Sequence, residues 1–330
     1  LPKKVLQHEI DLIAQAGVSI HLNTEVGKDI TFKALQAQYD AVYIATGTQF
    51  PEKVNIAGEG LTGVIHGIDF LKNVNLKREM VLGKTVAVIG GGNTAIDSAR
   101  TAMRLGAERV MILYRRTRDA MPASNEEVQA ALEEGVELME LVSPVRFLAN
   151  RAGKVFKIEC QQMKLGDFDK NGRRKAVAIE DSNYLIDVDA VVPAVSQYSD
   201  LPFIKKSEIG VTSWGTFVVD YENMMTTMPG VFAGGDVVRG PDTVIQAIAD
   251  GKNAAVSIDK YLGGKGKLNK GAPIEIPDQF SDDEIVEHKR FEIEMLDLEK
   301  RKTSFDEVVL GYHKLRAMAE AMRCLHCDRR

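Results

Sequence analysis

Apolar residues recur at helical spacing from the start of the chain. Val5, Leu6, Ile10, Ile13 and Ala14, closed by Gly17, predict a helix over "LPKKVLQHEIDLIAQAG". "VSIHLNTEV" then reads as a strand, and "YDAVYIATG" as a buried strand running into a glycine turn. A helical stretch from Gly67 to Leu76 precedes "KTVAVIGGG", where strand and turn begin again. "TAIDSARTAMRLG" is a helix stopped by Gly106, and "RVMILYRR" is the next strand; together they have the length of one βαβ unit. Short strands fill Val136 to Ala194, with turns at "RAGK" and "DKNG", and "GTFVVD" and "GVFAGGD" are further strand candidates. "TVIQAIADGKNAAVSIDKYL" predicts a long helix with Val244, Ala247, Ile248, Ala255 and Ile258 on its apolar stripe. Beyond Gly264, "KGKLNKGAPIEIPDQ" reads as a linker, and "SDDEIVEHKRFEIEMLDLEKRK" as a charged helix capped by Ser281.

Alternating strands and helices of this kind belong to the α/β class. A length of 330 residues favours two domains. With 45% hydrophobic and 27% charged residues, the chain can build buried cores under a solvated surface. A formal charge of −5 gives no general attraction to nucleic acid or to acidic lipid. No apolar run approaches the ~18 residues needed to cross a bilayer, so no membrane partner is expected. Three cysteines make no disulfide framework, which fits a cytoplasmic protein. Leu1 rather than Met at the start fits a fragment or a processed product.

Gly90-Gly91-Gly92-Asn93-Thr94-Ala95 fits G-x-G-x-x-A between a strand and a helix. In that motif the first glycine permits the tight turn, the second lets backbone approach a pyrophosphate, and the small final residue lets the helix pack close. The helix N-terminus adds unpaired N–H groups and positive dipole. The second strand ends "ILYRRTR", so Arg115 and Arg116 stand where NAD-selective folds carry an acid for the ribose 2′-hydroxyl. A guanidinium there matches a 2′-phosphate, which points to NADP(H). The competing reading leaves both arginines solvated or paired with acids such as Glu126.

Two further segments support a second dinucleotide site. One ends a strand at Ala45-Thr46-Gly47; the other carries Gly235-Asp236 before a helix beginning near Thr243 and Val244. Together with "LPKKVLQHEI", "VGKDITF", "VIGGGNTAIDSARTAMRLGAERVMILYRR" and "MPASNEEVQAALEEGVE", they resemble the FAD-dependent NAD(P)H oxidoreductases of the glutamate synthase small-subunit type. Similarity to adrenodoxin reductase and dihydropyrimidine dehydrogenase is more distant. The resemblance covers nearly the whole chain. It implies two Rossmann-like dinucleotide-binding domains, the NAD(P) domain inserted into an FAD domain, with a helical C-terminal tail. The implied divisions are residues 1–80 and 196–264 for FAD, 81–195 for NAD(P), and 265–330 for linker and tail. It further implies that Ala45, Thr46 and Gly47 lie near FAD, that Gly235 and Asp236 meet its ribityl–pyrophosphate region, and that Thr243 and Val244 open the following helix. Hydride would pass from nicotinamide to flavin, and single electrons from there to an iron–sulfur partner or fused domain, within a larger redox complex. The cofactors carry that chemistry, so no catalytic acid, base or nucleophile is nominated.

The sequence departs from the family in two places. The G-x-G-P-A-G element for the ADP half of FAD is missing, which leaves three alternatives: a fragment, a sheet completed by another chain, or a subunit that keeps NADP and has lost its flavin. Ser196 also stands where relatives carry glycine in an A-I-G-Q pattern. An NAD(P)H reductase or transhydrogenase with another acceptor is the rival enzyme. Asp167-x-Asp169-x-Asn171-Gly172 imitates a calcium loop, but Ala178 at the twelfth position supplies no carboxylate, so it reads as a polar turn. Cys324 and Cys327 form a C-x-x-C. It is either half of a four-thiolate iron–sulfur or zinc site or a pair of small packing residues. Cys160 falls on a strand pattern and reads as core.

Overall fold

The run "TVAVI" is apolar on both sides of its backbone, which marks a strand buried on both faces, as in a parallel sheet. The computed structural model describes residues 2–169, 172–204, 208–267 and 290–323. The chain divides into two units, residues 23–266 and a second made of residues 1–22 with those from 267 onward.

In chain order the elements are α1 (Lys3–Gln15), α2 (Phe32–Gln38), β1 (Val42–Ile44), β2 (Phe50–Pro51), α3 (Gly67–Asn75), β3 (Thr85–Ile89), α4 (Asn93–Arg104) and β4 (Arg109–Tyr114). Next come α5 (Asn125–Glu133), β5 (Glu137–Glu140), β6 (Val142–Ala149), β7 (Val155–Phe168), β8 (Arg174–Ala178), β9 (Tyr184–Asp187), β10 (Ala190–Pro193) and β11 (Gln197–Tyr198). The last are β12 (Val231–Ala233), α6 (Asp236–Arg239), α7 (Val244–Tyr261), β13 (Glu294–Met295), α8 (Leu298–Thr303), β14 (Val309–Gly311) and α9 (Lys314–Ala321).

The larger unit is built on a parallel sheet of order β10-β3-β4-β5. Its pleat sends alternate side chains to two different cores. Val86, Val88, Val110 and Ile112 pack with Phe70, Ala95, Ile96 and Ala99 of α3 and α4. Ala87, Ile89, Met111 and Leu113 pack instead against Phe147, Ile158, Cys160 and Ile186. Those last residues belong to an antiparallel sheet in which β6, β8 and β9 all pair with the long β7. A third core gathers Phe32, Ile44, Phe217, Val231, Ala233 and Val237 around the parallel pair β1–β12. On the outer side of α4, Arg100 makes a two-pronged contact with the buried Glu134, joined by Arg104 and Glu127.

Several expectations are corrected. Residues 18–26 form no strand: Val18, Ile20 and Leu22 are exposed, and Val26 makes only an isolated bridge with Ile30. "GTFVVD" shrinks to isolated bridges at Phe217 and Val219. The apolar stripe drawn on α7 is misplaced, since Val244 is 78% exposed while Asp250 and Ala254 are buried. The charged helix drawn from Ser281 has its first half, with Ser281 itself, outside the described residues. Its second half opens without helix: Phe291, Ile293 and Met295 recur with period two, and Glu294 and Met295 form the short β13 paired with β14. Helix α8 follows, capped by Asp297. Cys324 and Cys327 lie outside the described residues.

Candidate functional site

Strands β4, β3 and β10 end side by side along the carboxyl edge of the parallel sheet, the edge at which doubly wound folds bind ligands. A cleft of about 720 Å³ opens there. Its lining includes Gly90, Gly91, Gly92, Asn93 and Thr94 after β3, Arg115 and Arg116 after β4, and Ala194 to Gln197 after β10. Asp236, Asp242 and Thr243 line it as well. The cleft therefore brings together nine of the fourteen residues nominated as cofactor-binding. The other five, Ala45, Thr46, Gly47, Gly235 and Val244, do not line it.

The glycine turn is shaped by two different demands. Gly90 has φ +142°, and a methyl group there would sit 2.2 Å from the carbonyl oxygen of Ala194. Gly92 caps α4 in an extended conformation, with φ −90°, and a methyl group there would meet nothing within 4 Å. The first glycine is thus required by the protein, whereas the second leaves backbone open towards the cleft. Ala95 is fully buried behind the turn. Gln197 reaches across from β11 and donates to the Thr94 hydroxyl at 3.3 Å, joining the end of the β10 segment to the start of α4.

The two arginines differ. Arg115 is exposed, lines the cleft, and its side chain has no hydrogen bond or ion pair among the described residues. Arg116 is largely buried and engaged: its Nε donates to the carbonyl of Arg174 at 2.7 Å, and its guanidinium lies 3.5 Å from Asp169. Glu126, the acid considered from the sequence, is not its partner. Asp169 also accepts from the backbone N–H of Arg173, so this stretch of the imitation calcium loop is tied to arginine. Among the described residues no three His, Cys, Asp or Glu side chains gather as a metal site.

The turns after β1 and β12 lie beside each other because those strands pair in parallel, Ile44 opposite Ala233. Ser199 donates to the Gly47 carbonyl at 2.7 Å, and the Thr48 hydroxyl lies 3.5 Å from the Asp236 carboxylate. The backbone N–H of Asp242 is 3.3 Å from the same carboxylate, so Asp236 is only loosely held. Thr243 caps α7, its hydroxyl accepting from Gln246 at 3.4 Å.

Sequence reasoning missed Asp250. Its buried carboxylate accepts from the Gly235 N–H at 2.9 Å and from two nitrogens of Arg239, both at 2.8 Å, and so fixes the turn that carries Asp236. The Arg239 guanidinium, then burial opposed by the Gly235 and Gln246 donors, leaves this carboxyl below its ordinary range. Its position between Ala247 and Ala254 on one helical face was the available signal. Tyr43, close to Asp250, is pushed up first by burial and then by that negative charge. Arg173 was missed too, and it also lines the cleft.

A parallel sheet with helices on one face and a glycine turn at its carboxyl edge defines a dinucleotide-binding α/β protein. The chain belongs to the pyridine nucleotide-disulphide oxidoreductase family, whose model matches residues 3–251. It is 42% identical over its whole length to the NADP(+)-dependent formate dehydrogenase subunit beta of Moorella thermoacetica, covering 48% of that protein. It is 36% identical, over 99% of the chain and 54% of the relative, to the NADPH-Fe(3+) oxidoreductase subunit beta of Geobacter sulfurreducens. The resemblance read from the sequence holds: the glutamate synthase [NADPH] small chain of Azospirillum brasilense is 38% identical over 81% of the chain and 58% of its own length. The chain thus spans about half the length of the curated relatives it matches. In fold it is similar to Mycobacterium tuberculosis FprA in complex with NADPH, with a TM-score of 0.61 at 21% identity over 73% of this chain and 68% of that one. No helix among the described residues is long and apolar enough to cross a membrane.

Proposed function

We propose that this chain is the pyridine-nucleotide and flavin module of an NADPH-linked oxidoreductase, working within a larger redox complex. The observation that carries the reading is the cleft shared by the Gly90–Thr94 turn and the unpartnered Arg115. The residues fit the nucleotide. Gly92 has room where a pyrophosphate needs backbone, the first N–H groups of α4 face the same space, and Arg115 offers a fork to a 2′-phosphate. By strand spacing, the end of β10 lies about 10 Å from the end of β4. A nucleotide with its adenosine half at Arg115 therefore directs its other half towards Ala194, Ser196 and Gln197, and on to Asp236 and Thr243.

The residues also fit the flavin and ribityl part of a flavin nucleotide. The paired turns after β1 and β12 supply Ala45, Thr46, Gly47 and Gly235, and the loosely held Asp236 carboxylate is available to a ribityl hydroxyl. Thr243 and Val244 open α7 beside it. When bound, the two groups supply hydride donation and its conversion to single electrons. The protein's own residues bind and orient: Gln197 steadies Thr94, and Asp250 with Arg239 steadies the Gly235 turn. Relatives named as beta subunits support membership of a larger assembly; an iron–sulfur centre that receives the electrons, and a cytoplasmic setting, are proposed from the sequence resemblance. Cys324 and Cys327 are proposed, on sequence alone, as half of such a centre.

The test is a pair of dissociation constants for Arg115→Ala in the full-length protein. Losing one charge-assisted contact weakens NADPH binding by about 10- to 150-fold, with NADH binding unchanged. Equal losses for both nucleotides refute the NADP(H) assignment.

A further inference from the structure

Arg116, the second half of the basic pair, lines the cleft as well, but its guanidinium is engaged by the hairpin that joins β7 to β8. Ties between Asp169 and Arg173 close the ends of that hairpin. The Asp169 N–H donates to the Arg173 carbonyl at 2.7 Å, and the Arg173 N–H donates to the Asp169 carboxylate at 2.9 Å. Arg116 fastens the closed hairpin to the end of β4 through its contacts with the Arg174 carbonyl and with Asp169. Arg174 points back along its own sheet, donating to the carbonyls of Leu165 and Gly166 at 2.9 Å, with its guanidinium 6.0 Å from the Phe168 ring centre. Arg173 is different. It is exposed, lines the cleft with Arg115, and its side chain has no hydrogen bond or ion pair among the described residues.

We infer that Arg173 and Arg115 together grip the 2′-phosphate of the nucleotide, and that Arg116 acts as a positioning residue holding the Arg173 hairpin against the cleft. The inference rests on the NADP(H) reading above and deepens it. A 2′-phosphate carries up to two negative charges on three accepting oxygens, so one guanidinium leaves acceptors unmatched and a second from another element completes the set. Arg115 arrives from the parallel sheet and Arg173 from the antiparallel one. The cleft's acids, Asp236 and Asp242, lie on segments that follow β12, away from this cationic end in sequence and sheet.

The experiment measures NADPH and NADH dissociation constants in the full-length protein for Arg115→Ala, Arg173→Ala, Arg116→Ala and the Arg116→Ala, Arg173→Ala pair. Arg173→Ala is expected to weaken NADPH binding about 10- to 150-fold and leave NADH binding unchanged. Arg173→Lys, a point charge without the fork, is expected to recover part of the loss. Because Arg116 acts through Arg173, the double variant should bind NADPH no worse than Arg173→Ala alone. A selective loss in Arg115→Ala with none in Arg173→Ala overturns the inference and leaves the NADP(H) reading standing. No selective loss in either variant overturns both. Additive losses in the double variant overturn the positioning role of Arg116.

Discussion

Gly90 and Gly92 sit two residues apart in one turn, yet alanine at each should fail in a different way. At Gly90 the added methyl carbon would lie 2.2 Å from the Ala194 carbonyl oxygen and 3.0 Å from its carbon. Ordinary C···O contact is about 3.3–3.6 Å, so the overlap exceeds about 1 Å. Moving Ala194 aside means parting β10 from β3, where Ala194 donates to Ile89 at 2.8 Å and Pro193 lies opposite Ile89. Overpacking of this kind and the left-handed φ together cost about 2–5 kcal/mol. At about 2–4 °C per kcal/mol for a unit of this size, the melting temperature falls by at least about 4 °C. Gly92→Ala meets no atom and keeps a permitted φ, so its cost is the poorer helix cap, about 1 kcal/mol or less. Its methyl group instead projects where pyrophosphate must approach the backbone. Loss of one charge-assisted N–H contact there weakens binding about 10- to 150-fold, and equally for NADPH and NADH, since both carry the pyrophosphate. Thermal unfolding and nucleotide titration of the two variants separate these effects. A Gly92→Ala protein that binds both nucleotides as tightly as the wild type would falsify the assignment of the turn to pyrophosphate. A Gly90→Ala protein of unchanged stability would remove the steric argument.

Two further outcomes follow from buried groups. Asp250→Asn leaves the Arg239 guanidinium without its charge partner and should cost about 3 kcal/mol, the low end for a broken buried pair because Arg239 is partly exposed. The wild-type Asp250 carboxyl is depressed by Arg239, so its contribution is present above the unfolded value near ~3.9 and is lost as pH falls through the folded one. Urea midpoints from pH 7 down to pH 2 should converge for wild type and variant, and parallel curves would contradict this account. Cys160 is buried and its thiol is pushed up to about 12, by burial first and by Glu159 second. Site-resolved alkylation at pH 8 should leave it unlabelled in the native protein and label it after unfolding.

The β3–α4–β4 unit was legible because an unbroken apolar run, three glycines and a helical period coincide within 30 residues. Other elements were hidden for definite physical reasons. Helix α7 was drawn with a purely apolar buried face, whereas its buried face carries Asp250, a charge tolerated there because Arg239 and the Gly235 N–H satisfy it. "FEIEML" was absorbed into a charged helix because its period of two is short and its polar positions are acidic. Arg115 and Arg116 looked equivalent along the chain. What separates them is a hairpin 58 residues away, whose Arg174 carbonyl captures one of the pair. A contact of that range leaves no local mark.

On the proposed reading, recognition of the nucleotide is divided between two layers, so its parts should be open to separate change. The pyrophosphate turn hangs from β3, whose Val86, Ala87 and Val88 are completely buried, so its geometry is set by the rigid centre of the parallel sheet. That turn serves any dinucleotide. The cations proposed to choose NADP(H) come partly from the antiparallel layer, through the β7–β8 hairpin. Its register to the parallel sheet is kept by the shared core of Ala87, Ile89, Met111 and Leu113 against Phe147, Ile158 and Cys160. Hence a change in the turn weakens both nucleotides together, while a change at Arg115 or Arg173 alters the preference between them. On this proposal the hairpin is the element in which substitutions should shift nucleotide preference without disturbing the sheet that carries the glycine turn.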